Sequence, residues 1–310
     1  MKKTVVAFGE VLWDILPSCT VLGGAPFNFA YRVNSLGDIG LMVSRLGRDA
    51  LGREALDKIV ALDLETSLLQ QDEASPTGTV QVSFDAQGNP DYVIVPDVAY
   101  DRIAFTADLA RTVERADCLC FGTLAQRAAV SSRTLAALLE RAGGVLRVLD
   151  INLRKNCYDP RSVRFSLGHA SVLKLNEEEA HALGAMLDIR HDTIAGFCEA
   201  IVHKYRLRFC LVTLGEKGAF GFSDDGQRAY APGYEVTVAD SLGSGDAFSA
   251  GFVHKILRDA SLAEAVAFGN ALGALVATQT GATTPLTREE IQALPDRSPP
   301  RNVHPEFERT

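Results

Sequence analysis

The chain has 310 residues and a net charge of −8, with 31 Lys and Arg against 39 Asp and Glu interspersed along its length. Phosphate recognition by nucleic-acid-binding proteins needs clustered basic side chains, so no nucleic-acid partner is expected, and the acidic balance gives no attraction to an anionic membrane. Apolar residues make up 47% and charged residues 23%, ordinary for a globular chain with a substantial core, so disorder is expected only at the ends.

In chain order, "TVVAFGEVLWDIL" reads as a buried strand leading into a more exposed one. After Met1-Lys2-Lys3 the apolar run lasts only about five residues, too short for a secretory h-region. The six cysteines, Cys19, Cys118, Cys120, Cys157, Cys198 and Cys210, are therefore expected to be thiols in a reducing cytoplasm, structural rather than metal-binding. Ala25, Phe29, Ala30 and Val33 form a helical stripe closed by Gly37; "LMVSRLG" is a strand and "ALGREALDKIVALD" a helix. From Thr79 to Val95 polar and apolar residues alternate about a Gly-Asn-Pro turn, which predicts a hairpin.

Beyond it strands and helices alternate: "CLCFG" with "SSRTLAALLERAG", "VLRVLDINL", "SVLKLN" with "EEEAHALGAML", then "CLVTLG" and a short hairpin, "GAFGFSDDGQRAYAP". The segment from Ala265, "AVAFGNALGALVATQTGA", is too polar and too rich in small residues for a membrane span, and predicts a buried helix packing closely through Gly269 and Gly273. The polar, proline-rich residues 296–310 are expected to form a loosely held tail. This pattern predicts one α/β domain over residues 1–310. Its mostly parallel central sheet has helices on both faces, and a small β-sheet lid comes from segments near 12–22 and 77–100. Ligands of such sheets bind beyond the carboxyl ends of the strands. Asp14, Gly122-Thr123, Asn152 and Arg154, Asn176, and Gly215 all fall there.

One motif stands out, "DSLGSGDAFSAGF" from Asp240. Ala247, Phe248, Gly251, Phe252 and Ile256 form an apolar stripe, so a helix begins near Gly243 to Asp246 and presents unpaired N–H groups suited to an anion. A phosphate-binding Walker loop is excluded because the chain has no Gly-Lys dipeptide, and a dinucleotide fingerprint because Phe248 occupies the place of the third glycine. A carboxylate is a handicap in a pure phosphate cradle. Asp246 makes sense as the base that takes a proton from an attacking hydroxyl, with the surrounding donors expected to keep it ionised. Local chemistry alone leaves open a plain helix-capping turn.

The motif resembles the DTxGAGD signature of the ribokinase-like (PfkB) carbohydrate kinase family, with Ser241 for threonine and Ser244 for alanine. "LGGAPFNFAYRVNSLG" resembles that family's second signature, a Gly-Gly followed by an Asn on a helix. The likeness extends through "VSRLGRDALGREAL", "FGTLAQR", "LDINLR", "LKLNEEEA", "VTLGEKGA" and "FGNA" to the late "TGA". It implies a ribokinase-like sheet with a β lid, and ATP and Mg²⁺ as cosubstrate and cofactor. Asp246 would be the catalytic base and Gly243, Ser244 and Gly245 the anion hole. Asp14, Gly23, Gly24 and Asn28 would bind sugar hydroxyls, with Asn152 and Arg154 as further contacts to sugar or phosphate. Asn176 and Glu179 reproduce an NxxE pattern associated with phosphate and hydrated Mg²⁺. Thr213, Gly215 and Gly218 resemble the nucleotide loop, Asn270 a residue beside adenine, and Asp240 and Gly281 a monovalent-cation (K⁺) site. Within the family the chain looks most like bacterial fructokinases, which implies transfer from ATP to a primary hydroxyl of D-fructose. Phe27 and Phe29 depart from the signature's small residues and keep 2-keto-3-deoxygluconate and ribose open as substrates. A non-catalytic sugar or nucleotide sensor on the same fold is the alternative of another class, and a homodimer through lid strands is expected.

Overall fold

The computed structural model describes every residue except 16–18, 85–89, 288, 292, 294–300 and 309–310. The opening β-branched run forms β1 (Thr4–Phe8), and its alternation splits the core: Val5 and Ala7 pack on one face of the sheet, Val6 and Phe8 on the other. The chain then leaves this sheet for β2 (Leu12–Ile15) and β3 (Thr20–Gly23), and returns through α1 (Ala25–Ser35), β4 (Ile39–Gly47), α2 (Ala50–Ala61) and β5 (Leu69–Asp72). In β2 the expected exposure is only half present, because Leu12 and Trp13 are buried while Asp14 and Ile15 are half-buried.

A second excursion makes β6 (Gly78–Phe84) and β7 (Pro90–Ile94), antiparallel partners whose connecting residues 85–89, including Gly88 and Asn89 of the anticipated turn, lie outside the described residues. The remainder is built of strands and helices, of which α3, α5 and α7 are not announced by the patterning: α3 (Ala107–Arg115), β8 (Cys118–Phe121), α4 (Ala129–Leu139), β9 (Leu146–Asp150), α5 (Pro160–His169), β10 (Val172–Asn176), α6 (Glu177–Leu187), α7 (Ile194–Tyr205) and β11 (Phe209–Thr213). After β12 (Ala219–Ser223), β13 (Arg228–Ala231) and β14 (Gly233–Tyr234) come α8 (Ser244–Ile256), α9 (Leu262–Ala277) and a last short strand, β15 (Arg301–Asn302).

The main sheet has nine strands in the order β13-β12-β11-β10-β9-β8-β1-β4-β5. All neighbours from β11 to β5 run parallel, and β12 and β13 close one edge as an antiparallel hairpin. Helices α3 to α7 cover one face and α1, α2, α8 and α9 the other. The second sheet, β3-β2-β6-β7, stands apart from the first; its pairs are antiparallel except β2 with β6. Small residues let α9 approach α8 closely: a Cβ on Gly269 would lie 2.8 Å from the Phe248 carbonyl oxygen, and one on Gly273 would lie 3.0 Å from that of Ser244. Cys118 and Cys120 are both buried on one face of β8. Among the described residues no helix is long and apolar enough to cross a membrane.

The C-terminal segment differs from the expected loose tail over residues 301–308. Phe307 is buried, stacking 4.8 Å from Phe220 and 4.5 Å from Tyr230, and the Glu306 carboxylate accepts the Ile194 and Ala195 N–H groups at the start of α7. One aromatic anchor and one helix cap are enough to dock a segment whose composition is otherwise that of a linker.

Candidate active site

Polar residues gather where the parallel strands end. Gly243 precedes α8 in the left-handed region (φ 79), and a Cβ there would meet the Ala282 Cβ at 2.4 Å, so conformation and space both demand glycine. No side chain caps α8, so the N–H groups of Gly245 and Asp246 lack intrahelical partners. The Ser244 hydroxyl is buried without a hydrogen-bond partner, and a phosphate oxygen would satisfy it.

Asp246 opens toward the other side. Its Oδ2 accepts from Asn28 Nδ2 at 2.9 Å, while Asn28 Oδ1 is buried and unpaired, an acceptor waiting for a hydroxyl donor. Gly24 begins α1 with φ 118 and would collide through a Cβ with the Glu10 carbonyl oxygen at 2.4 Å; this close approach places Asn28 against α8. One turn further along α1, the buried Arg32 donates to the carbonyls of Ala282 and Thr284 at 2.8 and 3.3 Å, tying α1 to the loop behind Gly243. Asp14 lies beside Gly23, whose Cβ would stand 2.9 Å from Asp14 Oδ2. Burial raises the Asp14 carboxyl above its ordinary range, against the pull of Arg154. The exposed Arg154 acts in the same sense on Glu10 and Asp246, so its charge lowers all three carboxyl groups.

Burial pushes Asp246 up to about 7; Asp150 adds to the rise, and Lys174, the Asn28 hydrogen bond and Arg154 oppose it. This differs from the expectation that donors keep it ionised. The unpaired N–H groups of the helix start face the anion site, and the half-buried side chain itself is set near other carboxyl groups. Behind it Lys174 and Asp150, both buried, form an ion pair at 3.2 Å, and Ser249 Oγ donates to Asp150 Oδ2 at 3.0 Å. Lys174 Nζ occupies the space a Cβ on Gly245 would need, 2.9 Å away, so an ammonium stands directly behind the first turn of α8.

A cavity of about 530 Å³ opens on the other flank of α8, within the range of small-ligand sites. Asn176, Thr213, Gly215, Gly218 and Asn270 all line it, together with Ser244 and Gly245. Glu179 caps α6: Oε2 accepts from Asn176 N at 2.9 Å and Oε1 from Leu153 N at 2.8 Å. Asp240 accepts from Leu242 N at 2.9 Å and from Gly281 N at 3.1 Å, so those two loops meet beside the same helix start. Asn152 (φ 40) lines a smaller cavity with Glu10, Phe29, Asp150 and Asp246, whereas Phe27 is wholly in the core.

Glu10, Asp150, Lys174 and Asn302 were not singled out from the sequence. Glu10, Asp150 and Lys174 are ionisable residues within or just after buried strands, a costly placement that is itself a signal. Burial pushes Glu10 from the ordinary 4.5 to about 7, with Asp246 adding to the rise and Arg154 opposing it. A carboxyl raised in the folded state favours folding below its unfolded value and loses that contribution as pH climbs through the folded one. Glu10→Gln should therefore leave stability unchanged near pH 4 and raise it at pH 8 by about 3–4 kcal/mol, from roughly 1.4 kcal/mol per pK unit. Urea melts at the two pH values check this, and an equal gain at both would refute it.

The profile described as pfkB family carbohydrate kinase matches residues 20–289. A fructokinase of Klebsiella pneumoniae is 30% identical over 94% of this chain and 99% of its own length, and one of Escherichia coli is 27% identical over the same shares. Among solved structures, fructokinase with bound ATP from Xylella fastidiosa superposes with a TM-score of 0.83 at 23% identity, covering 96% of this chain and 99% of that one. With its nine-stranded main sheet, its separate four-stranded sheet, its glycine-led helix start and both signatures in order, the chain belongs to the pfkB family of carbohydrate kinases.

Proposed function

We propose that the protein transfers the γ-phosphoryl group of ATP to the primary hydroxyl of D-fructose, giving ADP and fructose 6-phosphate. The observation that carries this reading is Asn28: its amide nitrogen is held on Asp246 while its buried oxygen has no partner. A sugar hydroxyl donating to that oxygen arrives beside the base. Asp14 and Arg154 would hold the other hydroxyls, and Gly23 and Gly24 leave room for the ring. The γ-phosphate would sit on the Gly243–Gly245 turn, whose N–H groups and Ser244 hydroxyl stabilise charge on the moving phosphoryl group. The relatives named fructokinases favour fructose over other sugars. Phe29 at the wall of the small cavity suits a site shaped by an aromatic ring.

Asp246 takes the proton from the attacking oxygen as the new bond to phosphorus forms. Closure of the β3-β2-β6-β7 sheet over the sugar would exclude water and suppress ATP hydrolysis. Each Glu179 oxygen keeps a lone pair beyond its backbone bond, which suits a metal-bound water better than direct ligation. Mg²⁺, when bound, neutralises phosphate charge. Asp240 and the 281 loop are the candidate holders of K⁺, and the separate sheet offers edge strands for a homodimer. The chemistry belongs in the cytoplasm, where ATP and free sugar meet.

The test is ADP release over a panel of fructose, ribose and 2-keto-3-deoxygluconate. Fructose should give the highest kcat/KM, by ten-fold or more. Equal rates across the panel would remove fructose as the substrate, and no release with any sugar would remove the kinase reading.

A further inference from the structure

The chain beyond the family match turns back to the larger cavity. β15 pairs antiparallel with β14, Asn302 opposite Gly233 and Arg301 opposite Tyr234. The Arg301 guanidinium stacks on the Tyr234 ring, 3.4 Å from its centroid, and donates to the Pro232 carbonyl at 3.2 Å. That carbonyl also accepts Asn270 Nδ2 at 2.9 Å, so the last strand is fastened to α9 at the cavity wall. Two residues further on, the His304 N–H donates to the Tyr230 hydroxyl at 2.7 Å, ahead of the Phe307 stack. Asn302 is thereby held between two fixed points. The bonds of this segment run through Arg301, His304 and Glu306 and leave the Asn302 amide to the cavity it lines.

We propose that Asn302 reads the adenine edge of the bound nucleotide, making the C-terminal strand the base-selecting wall of the cavity. A carboxamide presents one acceptor and one donor side by side. The outer edge of adenine offers an amine donor beside a ring-nitrogen acceptor and matches both, whereas guanine offers two acceptors there and can satisfy only one. Asn270 already commits one of its two amide hydrogens to Pro232, which fixes its orientation, whereas among the described residues no such bond holds the Asn302 amide. This assignment rests on the larger cavity being the nucleotide site.

Calorimetric titration of ADP and GDP into the full chain tests it without requiring turnover. The natural protein should bind ADP more tightly than GDP, and Asn302→Ala should narrow that preference about ten-fold, the worth of one bidentate base contact. The KM for the sugar should not change. An unaltered ADP to GDP ratio in Asn302→Ala, or no preference in the natural protein, overturns the proposal. Ala274→Trp separates the two readings, since Ala274 lines the same cavity from α9. Loss of ADP binding in that variant supports the cavity as nucleotide site, and retained binding overturns both the cavity assignment and the role of Asn302.

Discussion

Asp246→Asn is expected to lower kcat by roughly 10²–10⁴-fold, the usual worth of a positioned general base, while the KM values for ATP and sugar move little. Asparagine has the same shape and can still accept from Asn28, so the sugar contact and the helix start should survive. What disappears is the group proposed to receive the hydroxyl proton. The pH dependence follows from the raised carboxyl: with Asp246 near 7, kcat/KM of the natural enzyme should fall about ten-fold per unit below that value, because the protonated acid cannot accept. A second readout separates catalysis from packing. Asp246 is raised from the ordinary 3.8 to about 7, so its folded-state charge costs stability above that pH. The Asn variant should consequently melt at a higher temperature than the natural protein at pH 8 and at a similar one near pH 4. Loss of activity with gain of stability marks a group retained for chemistry. Retention of more than a tenth of kcat, or a lower melting temperature at pH 8, would assign Asp246 to structure instead.

Much of this arrangement was legible in order and type, and much less in depth. The strand ends at Asn152, Asn176 and Gly215 could be located because parallel strands, buried on both faces, read as short apolar runs bounded by polar residues, whereas Asp14, expected at the end of the first strand, lies inside β2 of the separate sheet. Gly243 and Asp246 were readable as a helix start because the apolar stripe begins at Ala247. The helices α3, α5 and α7 escaped notice although Thr106, Asp159 and Thr193 each cap one. Their apolar faces are short, and a capping residue means little until the strands on either side are placed. The state of Asp246 could not be read locally either. It depends on Asp150, 96 positions away in sequence, and on burial produced by the closure of α1 over α8. The docking of residues 301–308 hinged on one phenylalanine finding a slot between Phe220 and Tyr230, a tertiary fit that composition does not encode.

Asp150→Ala should be the most destabilising single change at the site. Asp150 and Lys174 are registered partners on neighbouring strands β9 and β10, 7% and 8% exposed, and they meet under the start of α8. Burial alone would push the lysine down, yet Asp150, Asp246 and Glu179 together hold it above its ordinary range, so the ammonium is charged in the folded protein. Truncating Asp150 strands that charge and also leaves Ser249 Oγ without its acceptor. Breaking a buried pair from one side costs about 3–5 kcal/mol, which for a chain of this size corresponds to roughly a 10 °C fall in Tm. Replacing both partners, Asp150→Leu with Lys174→Met, should recover most of that loss, because two apolar side chains need no desolvation. Activity should not recover with it. The double variant removes a cation and an anion that bear on Asp246 in opposite directions, together with the ammonium that backs Gly245. A double variant that is both stable and fully active would show the pair to be packing alone, whereas a single Asp150→Ala that melts within about 2 °C of the natural protein would show that the ammonium finds water and is not buried in solution.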